Sequence, residues 1–190
     1  AIALQPVFIV AVLCATIGYG VMNLLMTATP LAMHHNHMDL GDTAFVIQWH
    51  VVAMFAPSFV TGHLINYFGI RKILLAGALI CGVCVATNLS GQSVWHFWFA
   101  LILLGVGWNF LFVGGTTLLT DAYRVEEKSR TQAMNDFIVF STVSVTALSS
   151  GTIQHHFGWI TVNLSVLPFL VLVALCIIFM HSATRQGRAS

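Results

Sequence analysis

Gly62-His63-Leu64-Ile65-Asn66-Tyr67-Phe68-Gly69-Ile70-Arg71-Lys72 is a short polar hinge ending in two adjacent cations. It separates two long apolar runs, over 43–65 and 73–89. A helix that crosses the ~30 Å hydrocarbon layer of a bilayer needs about 20 mostly apolar residues. Working outward from the hinge gives six such runs, over 7–31, 43–65, 73–89, 94–120, 133–154 and 160–181. Gly18, Pro57, Gly105 and Pro168 fall inside these runs. Membrane helices tolerate such residues because neighbouring helices re-satisfy the backbone. The expected fold is an all-α transmembrane bundle of six helices, with residues 1–190 as one unit.

Composition excludes the other classes. Hydrophobic residues make up 58% of the 190 and charged residues 7%, against about 25% charged in a soluble domain. Mean hydropathy is +0.89. Seven Lys and Arg with six Asp and Glu cannot solvate a soluble surface of this size. A net charge of +1 without a basic patch argues against nucleic acid as a partner, and 14 Phe and 5 Trp argue against disorder. No nucleophile–base pair, phosphate-cradling loop or paired carboxylate suggests an enzyme, and no organic cofactor is expected. The first run is too long and lacks the basic flank of a cleavable leader. The four Cys lie in apolar stretches, which is not a secreted disulfide framework.

The cations fall on alternate connections. Arg71 and Lys72 follow the second run, Arg124, Lys128 and Arg130 the fourth, and Arg185 and Arg188 the sixth. The other connections, His34–Asp42, Ser90–Ser93 and His155–Trp159, carry none. By the positive-inside rule the first set is cytoplasmic. Both termini are then expected in the cytoplasm, and the His-rich segment outside, facing the periplasm if the membrane is a bacterial inner membrane.

The hinge itself resembles the loop motif of the major facilitator superfamily, a Gly, an acidic residue, then Gly and two basic residues. Asn66 stands at the acidic position and Tyr67 where a basic residue is common. The connector Asp121–Arg130, followed by Gln132, echoes the equivalent loop two spans later. The resemblance implies a half transporter, helices 7–12 of twelve, built as 3+3 inverted repeats. Its partner would be an N-terminal six-helix half or a second copy, within membrane lipid.

Two side-chain stripes carry chemistry. Met22 and Met26 lie at i and i+4, as do His50 and Met54, so each pair shares one helix face. At about 1.5 Å per residue, Met26 lies ~12 Å from His34 and His50 ~14 Å from Gly41, while Met22 and Met54 lie at ~18 and ~20 Å. The four therefore reach matched depths near the midplane, where such carriers bind substrate. Thioether and imidazole together suit Cu(I), and neutral ligands release as well as capture. These pairs, with Gly18 through Pro30, Gly107-Trp108-Asn109-Phe110 and Gly114-Gly115-Thr116, resemble the CcoA-like bacterial copper importers. That resemblance implies Met22, Met26, His50 and Met54 as copper ligands. It also implies uptake of copper, as the transported substrate, across the inner membrane for cbb3-type cytochrome c oxidase.

Weaker features surround them. Met33, His34, His35, His37 and Met38 form an outer tract, read as a flexible metal-accessible entrance or as a His-rich polar turn. Cys81 and Cys84 are either thiol stops on a copper path or small packing residues, with packing favoured. Asp136 reads as a helix cap rather than a proton site. The competing functions are a proton-coupled carrier of a small organic solute, flavin- or drug-like, stacked on the Trp and Phe content, and a half that only stabilises a partner.

Overall fold

A computed structural model describes residues 5–186, with side chains up to Met180. Arg188, the last of the seven cations, lies outside the described residues. The described chain is helical almost throughout. Helix α1 spans Pro6–His35 and opens on Pro at its first position, where a missing N–H costs nothing. Helix α2, Leu40–Phe55, is capped by Asp39, whose carboxylate accepts from the Asp42 amide at 2.7 Å. Helix α3 is Ser58–Phe68, α4 is Ile70–Ser90 and α5 is Val94–Leu119. Two 3-10 turns, Thr120–Ala122 and Val125–Glu127, lead into α6, Lys128–Gln186.

Two of these elements depart from the spans expected above. The run 43–65 is not one straight helix: α2 and α3 are bent by 43° at a break around Pro57. Proline removes a backbone donor and clashes with the preceding turn. Helix α6 has 59 residues, about 88 Å at helical rise, far beyond one crossing. Gly158, at φ 77° and ψ 174°, divides it into arms 128–157 and 159–186.

The contacts show that these arms run in opposite senses. Thr142 lies against Gly20 and Gly151 faces Leu31, so the first arm runs parallel to α1. The second arm runs back along α4, with Asn163 bonded to Asn88 and the Ile177 carbonyl to Arg71. Counting the bent α2–α3 pair as one rod and each arm of α6 as one, six apolar rods alternate in direction. This is the all-α six-helix arrangement expected from the sequence, and the chain is a multi-pass membrane protein by length and composition of its helices.

Four asparagines tie the rods together. Asn23 of α1 donates to Val143 O and Thr146 Oγ1 on the first arm of α6, at 3.1 and 3.0 Å. Asn88 of α4 donates to Asn163 Oδ1 on the second arm at 2.8 Å. Asn109 of α5 holds α2 and α3. Interhelical hydrogen bonds of this kind contribute about 0.6 kcal/mol each on average in a bilayer. Their larger effect is on register. Close backbone approach does the rest: a Cβ on Gly115 would stand 2.9 Å from Ala11 O and Ala15 N, which is how α1 and α5 pack.

Candidate functional site

Helix α5 is the element on which the site is built. Helices α1 and α2 touch each other only slightly, and both pack along α5. Gly105 lets α2 in: a Cβ there would stand 2.9 Å from His50 O, Ala53 C and Met54 N. On the other side Gly18 of α1 lies against Leu111. One turn beyond Gly18, Met22 is level with Gly107 and Trp108. Met54, between Gly105 and Asn109, shares that level. The two predicted stripes are thus brought to one depth through α5. Met22 and Met54 are buried and Met26 is half-buried.

His50 is fully buried, with Nδ1 2.7 Å from Leu101 O. A carbonyl only accepts, so Nδ1 carries the proton and Nε2 of the neutral ring keeps its lone pair. Nε2 is buried without a hydrogen-bond partner. This is the arrangement in which an imidazole, oriented by one nitrogen, offers the other to a ligand. Among the described residues it is the one fully buried imidazole, and no carboxylate is buried.

Just below lies the break in α2–α3. Asn109, fully buried, spends both Nδ2 hydrogens across it, one on Met54 O at 2.8 Å and one on Ser58 Oγ at 2.6 Å. The Thr61 hydroxyl sits between Asn109 Oδ1, 2.6 Å away, and Pro57 O, 2.8 Å away, and can donate to either. One α5 side chain therefore grips both segments where proline interrupts their backbone ladder.

Next to this clamp five rings converge from four rods. The Trp108 indole stacks on Phe112 with centroids 5.2 Å apart and planes 10° from parallel. It meets Tyr19 of α1 edge-on at 5.5 Å and Phe55 of α2 at 6.0 Å. Tyr19 in turn meets Phe112 at 5.2 Å and Phe140, on the first arm of α6, at 6.1 Å. Trp108 is only 5% exposed, whereas Phe55 and Phe140 are 57% and 55% exposed. The cluster has a buried floor and an open rim. Offset and edge-on ring contacts of this kind each contribute about 0.5–1.5 kcal/mol beyond area burial.

The outlying candidates fall differently. The tract 33–38 spans the last residues of α1 and the turn that follows it. The Asn36 amide donates to Ala32 O and Met33 O, and its Nδ2 to Ala32 O at 2.7 Å. Met33 is buried in the core and Met38 packs against it, while His34, His35 and His37 are exposed. The two apolar residues of the tract anchor it. Cys81 is fully buried, with Sγ 2.5 Å from where a Cβ on Gly107 would stand. Cys84, also buried, receives a long contact from Asn88 Nδ2 at 3.9 Å. Both fill space between α4 and its neighbours. Among the described residues no three His, Cys, Asp or Glu side chains are gathered as a metal site. Asp136 is not a cap: α6 begins at Lys128, after a turn closed by Glu127 on the Arg124 amide, so Asp136 is exposed more than two turns inside the helix.

Residues 9–189 match the family model for the Major Facilitator Superfamily. The chain belongs to the Major Facilitator Superfamily. Among its superfamily relatives, the riboflavin transporter RfnT of Brucella anthropi is 43% identical over 169 residues, 89% of this chain and 42% of that protein. The uncharacterized transporter YdeG of Bacillus subtilis is 33% identical over 147 residues, 76% of this chain and 34% of that protein. The chain therefore spans about two-fifths or less of the length of the curated relatives it matches. These relatives are named as transporters rather than enzymes.

Sequence reasoning picked out His50 because an ionisable residue inside a span stands out. It missed Tyr19, Phe55, Asn109, Phe112 and Phe140 as site residues. Asn109 carried the clearest available signal, a fully amide-bearing side chain in the middle of an apolar run. The rings carried none, since aromatic residues are spread over every span.

Proposed function

We propose that this chain supplies the C-terminal half of a carrier that moves riboflavin, or a flat heteroaromatic solute like it, across a membrane by alternating access. The observation that carries this reading is the five-ring cluster, which draws on α1, α2, α5 and the first arm of α6 and leaves its rim open. A tricyclic ring system stacks on such a surface with little polar cost. The 43% identity to a riboflavin transporter supports the same substrate class. His50 Nε2, a buried acceptor without a partner, is a site for a coupled proton in this reading. An N-terminal half, or a second copy, completes the cavity by covering Phe55 and Phe140. The distribution of Lys and Arg supports an orientation with both termini cytoplasmic and the His-bearing connections outside, and the bacterial relative supports a bacterial inner membrane.

Copper uptake is the second reading, and one observation favours it: the protonated Nδ1 and free Nε2 of His50, with Met22 and Met54 at the same depth. Uptake of labelled riboflavin and of copper is measured side by side in cells lacking their own systems, with the full-length carrier expressed. Under the flavin reading, riboflavin accumulates and Phe55→Ala with Phe140→Ala raises its KM about tenfold, the loss of one to two ring contacts. Copper accumulation that needs His50, with no riboflavin accumulation, replaces it with the copper reading.

A further inference from the structure

A cavity lies at the far end of the rods from the cations, remote from the ring cluster. It occupies about 650 Å³ between the end of α1, the α4–α5 connection and the Gly158 break in α6. His35, on its wall, is ~24 Å along α1 from Tyr19 at helical rise. Small-molecule sites usually enclose about 300–1,000 Å³, so this one suits a solute of vitamin size. All of the lining residues described come from this chain.

Most of the accessible wall is apolar, with Leu31, Phe157 and Ile160 among its residues, and neutral polar groups are set into it. Asn36, Gln92 and Gln154 contribute carboxamides, His34 and His155 imidazoles, and Trp159 an indole. None of the lining residues is Asp, Glu, Lys or Arg. A cation would find no counter-charge there, and an anion only neutral dipoles and imidazole. Carboxamides both donate and accept, which matches a neutral ligand carrying C=O, N–H and O–H groups. Two of these groups are buried without partners: Gln154 Oε1 and the Nε1 of Trp159, a residue 95% buried (5% exposed). Such orphans cost free energy unless a ligand satisfies them. One is an acceptor and the other a donor, and both belong to residues that line the cavity.

We infer that this cavity is a second binding site of the carrier, taking the polar edge or polyol tail of a neutral heteroaromatic solute before or after it occupies the ring cluster. The choice of solute rests on the flavin reading above. The cavity's separation from the cluster makes the two independently testable.

Riboflavin is titrated into the purified full-length protein in detergent, with quenching of flavin fluorescence giving the stoichiometry. Two riboflavins per chain are expected. Gln92→Leu with Gln154→Leu removes one and raises the apparent KM for uptake about tenfold, the effect of a lost hydrogen-bonded pair. Phe55→Ala with Phe140→Ala removes the other. Gln92→Ala alone, at an exposed position on a connection, leaves the core untouched and weakens the same event in the same direction. If the Gln92/Gln154 variant still binds as the native protein does, the inference falls and the flavin reading stands. If native protein binds no riboflavin, both fall. Copper held by His34 and His155 in place of riboflavin also overturns the inference.

Discussion

The chain breaks its helices at two places, and the two are finished in opposite ways. At Pro57 the break lies ~24 Å along the rod from Gly41, still within the hydrocarbon layer, and Asn109 with Ser58 and Thr61 bonds the backbone on both sides. At Gly158 a Cβ would meet nothing within 4 Å, and the break opens onto the 650 Å³ cavity. A broken ladder in lipid must be satisfied by protein, whereas one at the rim has water and polar ligands available. The first break is therefore held closed by side chains. The second lines the cavity proposed above as a binding site.

Removing that hold should produce the largest effect. Asn109→Leu strips three partners at once and leaves Met54 O, Ser58 Oγ and Thr61 Oγ1 facing apolar surface. Leaving such buried groups unpaired costs on the order of 3 kcal/mol. The expected outcome is a clear fall in melting temperature in detergent, with loss of uptake beyond the loss of folded protein. Asn109→Asp, which keeps an acceptor for Thr61 but no donors, should recover only part of the stability. An unchanged melting temperature in the Leu variant would show that the two breaks are alike after all.

The difference between these breaks was only half legible in the sequence. The rods were legible because a bilayer demands long apolar runs whatever their partners. Pro57 was visible too, but a proline inside a membrane helix is common enough that 43–65 reads as one span. What decides its consequence is Asn109, 52 residues later in the chain. That pairing exists only because α5, fourth among the rods, is the common neighbour of the first two. The same placement sets Trp108 between Tyr19 and Phe55. Sequence order suggests that α1 and α2 face each other directly, and pairing Met22 with Met54 rests on that picture. Depth follows from residue count, so it was legible. Neighbourhood does not, so the ring cluster was hidden.

A smaller effect is expected where α2 meets α5 above the hinge. Gly105→Ala places a methyl 2.9 Å from backbone atoms of His50, Ala53 and Met54. Backbone cannot step aside as a side chain can, so α2 must shift, at a cost of roughly 2 kcal/mol. The Leu101 carbonyl would then part from His50 Nδ1. Riboflavin uptake should fall more steeply than folded yield, because His50 loses its orientation while Asn109 still holds the hinge. Equal falls in both would mean that this contact only packs the bundle.

The smallest effect belongs to the other break, and its cause is different in kind. Gly158 has open space around it but a φ of 77° and a ψ of 174°, a region almost confined to glycine that costs a residue with a Cβ on the order of 1–3 kcal/mol, toward the lower end where nothing packs against the position. Gly158→Ala should therefore lower the melting temperature slightly, through backbone conformation alone. Thr161 Oγ1 donates to Phe157 O across this break at 2.8 Å, but among the described residues no side chain of another helix grips both arms as Asn109 does at Pro57, so the strain can relax by turning the second arm of α6 about residue 158. That motion would move Trp159 and change the cavity it lines, while the distant ring cluster stays as it is. Riboflavin stoichiometry in this variant thus separates conformational from binding effects. Loss of the outer binding event with the ring-cluster event intact fits a rim break that shapes a site. Loss of both would mean that the arms of α6 move as one body, and that Gly158 is as much a hinge as Pro57.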